Sequence, residues 1–304
     1  MQVSVIVPVY NAGQTIESCL ESVLLQSFGD FELVVVNDGS SDGSGVLIDA
    51  AAARDGRVVA IHQANKGRTE ARHAGVERAS GEWVCFVDSD DTLPPDALEN
   101  LMEGTRRGDT DIVLGNGRSL PGPLRECIGI GEFRHLTVRA EGTIGVPWGS
   151  LYRRSVLTDR LFDLPRHVMM GEDYIFWLRL VFSTEKAVNI VQDSVYCKGE
   201  EHTSNCFRWT AAYAHELDGL RREAIPQGQR EEYMADMLCD RLANMYSVAQ
   251  WSRRREWEGS PFHRELLADL RASGMSIPPK GRLFLSLPSL RLRRLYSWVS
   301  SRLA

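Results

Sequence analysis

The stretch Trp83-Val84-Cys85-Phe86-Val87-Asp88-Ser89-Asp90-Asp91 is an apolar run that ends in three carboxylates. Burying Trp83 to Val87 in a sheet removes apolar area from water at about 25 cal/mol/Å², whereas burying unpaired carboxylates costs several kcal/mol each. The run therefore reads as a buried strand whose end opens at an edge, where something cationic meets the acids. If the chain stays extended there, a period of two sends Asp88 and Asp90 to one side, a geometry suited to a divalent cation. Hard oxygen ligands select magnesium or manganese over zinc, and such ions usually arrive with a phosphate. A solvated Asp-rich turn after a strand fits these nine residues as well.

Three earlier segments set the context. Val3 to Val9 is a β-branched run closed by Pro8-Val9-Tyr10-Asn11, and Phe31 to Val36 is a second one that runs into Asn37-Asp38-Gly39-Ser40. Between them Ile16, Cys19, Leu20, Val23 and Leu24 recur at helical spacing. The alternation repeats with a helix over Ser44 to Ala53, a strand over Val58 to His62, a helix over Thr69 to Ala79 and the strand Trp83 to Val87. Strands buried on both faces and joined by helices predict a doubly wound, mostly parallel α/β sheet, with ligands at the carboxyl ends of its strands. Asn11, Asp38 and Asp88 to Asp91 all fall at that end. Dinucleotide enzymes share this beginning, but the turn after the first strand holds a single glycine, Gly13, and no Walker-type loop is present. A nucleotide is therefore expected on carboxylates and a metal and not in a backbone nest.

The ordered set VSVIVPVYN, IESCLESVLLQ, FELVVVNDGSSDGS, NKGRTEARHAGVERASGEWVCFVDSDD and the later GED resembles the family-2 glycosyltransferases of GT-A fold, over roughly residues 3 to 200. The resemblance implies an inverting, metal-dependent transfer of a sugar from a nucleoside diphosphate donor, a UDP-sugar, to a hydroxyl of a glycan or lipid-linked acceptor in cell-surface polysaccharide synthesis. It places Pro8, Tyr10 and Asp38 at the base, Arg72 near base and diphosphate, Asp88 near the ribose and Asp90 on the metal, Mn2+ or Mg2+. Asp173, in Gly171-Glu172-Asp173, becomes the general base that takes the acceptor's proton, with Glu172 orienting its surroundings. Inversion is a single displacement, so one base opposite the leaving group suffices. His202 is a candidate third metal ligand, and Trp148 either stacks on a sugar or belongs to the core.

Other readings stay open residue by residue. Asp38 is also explained by an Asx turn, Arg72 by a solvated helix face, and two acids at a helix N-terminus by compensation of the helix dipole. Two alternatives stand for the whole chain. One is a catalytically silent GT-A domain acting as a binding or assembly module. The other is a sugar-nucleotide pyrophosphorylase, disfavoured because the first turn lacks a glycine-rich basic loop.

The chain of 304 residues has room for more than this core. A GT-A domain is expected over 1–205 and a C-terminal helical region over 206–304, including helices from Glu231 to Trp251 and from Pro261 to Ala272. From Lys280 to Ala304 there are six basic residues and no acid, so the net charge of −6 combines a tail of +6 with a body of −12. Such a body makes no basic stripe for nucleic acid. Leu292, Leu295, Tyr296, Val299 and Leu303 form a helical stripe in that tail, which predicts either docking on the body or contact with an anionic membrane surface. Six cysteines without paired spacing fit a reduced, cytoplasmic setting, with the inner face of the plasma membrane as the place a lipid-linked acceptor would require. The start, Met1 to Pro8, reads as a strand and not as a signal peptide, and no run is long enough to span a membrane.

Overall fold

The first four strands lie side by side in the middle and at one edge of a single sheet. They are Val3–Val9 (β1), Phe31–Asp38 (β2), Val58–Gln63 (β3) and Trp83–Phe86 (β4), separated by helices Ile16–Leu24 (α1), Ser44–Arg54 (α2) and Arg68–Arg78 (α3). The computed structural model describes residues 1–115, 125–140, 145–199, 209–294 and 297. Next come Ala97–Thr105 (α4), Ile112–Leu114 (β5), Cys127–Ile128 (β6), Ile130–Val138 (α5), Ser150–Arg153 (β7), Glu172–Val181 (α6) and Val188–Ile190 (β8). The sheet runs β3-β2-β1-β4-β7-β5-β8-β6. β3, β2, β1 and β4 are mutually parallel, β7 is antiparallel to both β4 and β5, β8 is parallel to β5, and β6 is antiparallel to β8. The expected α/β architecture of GT-A type is what forms.

Alternation explains why the strands read as continuous apolar runs. Val3, Val5, Val7 and Val9 pack with Leu33, Val35, Trp83 and Cys85 against Ile16, Ile48 and Leu98 from α1, α2 and α4. Ile6, Val34, Val36, Val84 and Phe86 face the other way, onto Ala71, Phe133, Phe176 and Trp177 from α3, α5 and α6. Both faces are dry, so both residue parities must be apolar. Pro8 sits in a central strand without breaking a ladder. Ile6 O accepts from Val87 N, so Pro8, two residues on, faces the same neighbour beyond its last pair, Ile6 with Phe86, where no donor is needed.

One close approach sets the height of α3. A Cβ on Gly75 would lie 2.3 Å from Ile6 Cγ2, so glycine lets the helix backbone settle onto β1. Arg72, three residues earlier on the same helix face, is thereby carried down to the rim of the sheet.

Some bounds differ from the sequence reading. β2 reaches Asp38, because Asn37 and Asp38 still pair with His62 and Gln63 of β3. α6 begins at Glu172, with Gly171 in the left-handed region (φ 89°) just before it. Between 116 and 145 the described residues form the edge strand β6 and the helix α5, whose Phe133 is fully buried.

The chain divides into two compact units, Met1–Thr137 with Glu141–His202, and Val138–Ala140 with Thr203–Ala304. In the second, Ala211–Ala224 (α7), Met234–Trp251 (α8), Arg254–Trp257 (α9), Pro261–Ala272 (α10) and Pro279–Ser286 (α11) bury Leu238, Met245, Trp257, Phe262, Leu266, Phe284 and Leu285 in their own core. Among the described residues no helix is long and apolar enough to cross a membrane.

Candidate active site

The loops that leave the carboxyl ends of β1 and β2 are tied together before any ligand is considered. Ala12 N and Gly13 N donate to Ser44 Oγ (3.0 Å) and Asp42 Oδ2 (2.8 Å), and Asn11 exchanges bonds with Ser40 and Ser41. Asn11 does this from a left-handed backbone (φ 52°), so it spans the two loops and does not cap α1. Pro8 is buried beneath this junction, and Tyr10 stands above it, 55% exposed.

Asp38 is 2% exposed. Its Oδ1 accepts from Gln63 Nε2 and Lys66 N, and its Oδ2 from Gly67 N, all at 2.8 Å. The carboxylate thus holds the 63–67 loop, which leads directly into α3. The Asx turn at this place belongs to Asn37, whose Oδ1 accepts from Ser40 N at 3.0 Å.

Beyond β4 the chain does not stay extended. Asp91 N donates to Asp88 O at 3.1 Å, closing a turn over 88–91, so a two-residue period does not govern how Asp88 and Asp90 face. The cause is distant in sequence. Tyr196 OH donates to Asp91 Oδ2 (2.6 Å) and accepts from Asp88 N (3.1 Å), and Gly199 N donates to Asp91 Oδ1 (2.8 Å). Thr92 and Cys197 exchange backbone hydrogen bonds of 3.0 and 2.9 Å. A Cβ on Gly199 would fall 2.1 Å from Asp90 O, so only glycine lets the two backbones meet. Trp148 stacks on Tyr196 (centroids 4.3 Å apart, planes at 16°), and Lys198 Nζ lies 5.0 Å from the Trp148 ring centre. One face of Trp148 is therefore committed to the protein.

Arg72 joins the parts. Its side chain is 5% exposed, with Nη2 donating to Asp88 Oδ1 at 2.8 Å and Nη1 to Asp173 Oδ1 at 2.7 Å. Burial pulls the guanidinium's pKa down, but the charges of Asp173 and Asp88 outweigh it and push the pKa above the usual arginine range. Among the described residues its buried Nε has no hydrogen-bond partner. One turn earlier, half-exposed Arg68 pairs with Glu172, which is 5% exposed. Burial, then the neighbouring Asp173 charge, raises the Glu172 pKa against the opposing pull of Arg68. Two arginines at i and i+4 on α3 thus meet the two acids in the first turn of α6.

The acidic edge fits a divalent cation. Asp90 is exposed. Burial raises the Asp91 pKa, the hydrogen bonds from Tyr196 and Gly199 lower it, and the charges of Asp90 and Asp88 raise it further. Negative charge is therefore in excess at this turn. Among the described residues no group of three or more His, Cys, Asp or Glu side chains forms a cage for a metal ion. Magnesium and manganese do not need one, because they are held by one or two carboxylates together with substrate phosphates. His202 lies outside the described residues.

The sequence reading named Asp88, Arg72, Asp173 and Glu172, which the fold brings together, but missed Tyr196 and Arg68, the partner of Glu172. Tyr196 is 105 residues from Asp91, and no local signal points to it. Arg68 had a signal, its place one turn before Arg72 on a helix entering the carboxyl end of the sheet.

The profile of Glycosyl transferase family 2 matches residues 4–161. The chain is 30% identical to the glycosyltransferase GlyA of Streptococcus pneumoniae over 241 residues, 74% of this chain and 34% of that protein. It spans between 34% and 59% of the length of the first curated relatives it matches. Among solved structures it resembles S. aureus TarS 1-349 in complex with UDP-GlcNAc (TM-score 0.58, 19% identity, covering 91% of this chain and 93% of that one). It also resembles the mannosyltransferase PcManGT from Pyrobaculum calidifontis in complex with GDP-Man and Mn2+ (TM-score 0.57, 20% identity, 98% and 83% covered).

Proposed function

The chain belongs to glycosyl transferase family 2, and we propose that it moves a sugar from a nucleoside diphosphate donor, a UDP-sugar, to a hydroxyl of a cell-surface glycan or its lipid-linked precursor, with inversion at the anomeric carbon. The observation that carries this reading is the buried Arg72 guanidinium bridging Asp88 and Asp173 beside the exposed Asp90. It sets a donor-side acid and a second acid at the two ends of one rigid fork.

In this reading Pro8 and Tyr10 line the pocket for the base, and Asp38 shapes it by fixing the 63–67 loop. Asp88 faces the ribose. Asp90 would hold Mg2+ or Mn2+, and His202 is the candidate for a further ligand. The cation would supply neutralising charge to the departing diphosphate. Arg72, with its spare Nε donor, adds to that neutralisation. Asp173 keeps Oδ1 on Arg72 and offers its other oxygen to the acceptor hydroxyl, removing the proton as the hydroxyl attacks. The donor complexes of TarS and PcManGT support a nucleotide-sugar donor, and Mn2+ in the latter supports the metal.

Calorimetric titration of UDP tests the donor side. Binding should require Mn2+ or Mg2+ and weaken at least tenfold in Asp90→Asn. Equal affinity in chelator and in metal would remove the cation from the reading.

A further inference from the structure

Of the tail's hydrophobic stripe Leu292 lies among the described residues, whereas Leu295, Tyr296, Val299 and Leu303 lie outside them. Phe284 and Leu285 of α11 enter the core of the second unit, but Leu283 between Arg282 and Phe284 stays 53% exposed. In the helical turn at 290–294 the residue that is fully buried is Arg293, whose Nη2 donates to Ser252 O at 2.8 Å and Nη1 to Leu287 O at 3.2 Å. Leu292 is left 44% exposed. Arg293 anchors this turn, and Leu283 and Leu292 face out.

Helical geometry sorts the outward residues of each turn. On α11 the buried positions 284 and 285 put Leu283 at the middle of the opposite face, flanked by the exposed Lys280 and Arg282. In the next turn burial of Arg293 directs Arg291 and Leu292 outward. Arg294 lies 4.5 Å from the ring centre of Trp251, itself 43% exposed. Exposed apolar side chains set among cations, in a segment with no acid from 280 on, match the requirements of a headgroup region.

We infer that these exposed residues of the second unit, Trp251, Leu283 and Leu292 together with Arg282, Arg291 and Arg294, dock on an anionic lipid surface. The leucines and the indole enter the acyl boundary while the guanidinium groups meet phosphate headgroups. The choice of a membrane over a protein partner rests on charge complementarity. Every one of these cations is matched by lipid phosphate, and each contributes about fivefold to binding near an anionic bilayer. The inference is independent of the catalytic reading, because none of these residues belongs to the sugar-transfer site.

The test is co-sedimentation of the full chain with vesicles of phosphatidylcholine alone or mixed with phosphatidylglycerol. Binding is expected only to the mixed vesicles, falling with added salt as the Debye length shortens. The pair Leu283→Gln/Leu292→Gln and the pair Arg282→Gln/Arg291→Gln should each weaken it at least tenfold, with unchanged transfer to a soluble acceptor. Binding to both vesicle types alike, or variants that bind as wild type does, would overturn the inference. So would absent vesicle binding with a concentration-dependent dimer that the leucine pair abolishes, since these residues would then meet a second copy.

Discussion

Arg72 Nη1 donates to Asp173 Oδ1 at 2.7 Å from a side chain that is almost fully buried, although 101 residues separate the two. The same guanidinium reaches Asp88. Removing it would leave two carboxylates facing one another without their shared cation, and breaking a buried pair of this kind typically costs about 3–5 kcal/mol. Lysine cannot replace the fork, because one ammonium has no planar pair of donors for two acids. Arg72→Lys should therefore lower the melting temperature by several degrees and reduce kcat at least tenfold. A variant with wild-type melting and transfer within twofold would show that the bridge carries neither stability nor chemistry.

Asp173→Asn is the complementary change. The amide is the same size and can still present its oxygen to Arg72, so the fold and the donor pocket should stand. What disappears is the proton acceptor, and general-base catalysis contributes about 10²–10⁴-fold. Transfer should fall by that factor while UDP affinity, measured by titration calorimetry, changes less than threefold. Near wild-type transfer would take the base role away from Asp173.

How much of this was legible in the chain follows from the distance over which each feature is encoded. The strands around Val5, Val34 and Val84 announced themselves because both faces of the sheet are dry, which writes a run of apolar residues into consecutive positions. Asp38, Asp88 and Asp173 were named as site residues through the resemblance to family-2 glycosyltransferases, whose motifs lie at or near the ends of elements with visible periods. The conformation of the 88–91 turn could not be found, since it is imposed by Tyr196 and Gly199 from the far side of the chain. The burial of Arg293 was hidden for a related reason. A stripe of leucines is apolar whichever way it faces, and only the carbonyl groups of Ser252 and Leu287 make Arg293 the buried residue.

Tyr196→Phe isolates that long-range control. Phenylalanine keeps the stack on Trp148 but loses the hydrogen bond to Asp91 Oδ2 and the acceptor for Asp88 N. Leaving such buried groups short of a partner costs about 1–3 kcal/mol. Because the turn carries Asp88 and Asp90, the donor KM should rise severalfold, and more steeply at low Mn2+ than at saturating Mn2+. A loss of stability with unchanged donor KM at every metal concentration would mean that Tyr196 supports the fold alone.

The last case lies away from the site and concerns acid stability. Glu32 of β2 is 4% exposed, and its Oε1 accepts from Ser4 Oγ (2.6 Å), Ser80 N (2.6 Å) and Ser80 Oγ (2.8 Å). Burial pushes the carboxyl pKa up, but the hydrogen bonds from Ser4, Ser80 and Gly81 outweigh it, and the net shift is downward. A carboxyl depressed in the folded state binds its proton more readily when unfolded, so its stabilisation is complete above the unfolded pKa of about 4.3 and is lost as pH falls through the lower folded value. Glu32→Gln keeps an acceptor but removes the charge, which should cost about 1–3 kcal/mol at neutral pH. Urea unfolding of wild type and variant should show that gap at about pH 7 and a smaller one at about pH 3. A gap that stayed constant or widened in acid would show that the three donors do not recognise the ionised form, and that Ser4 and Ser80 close this corner of the sheet by shape and not by charge.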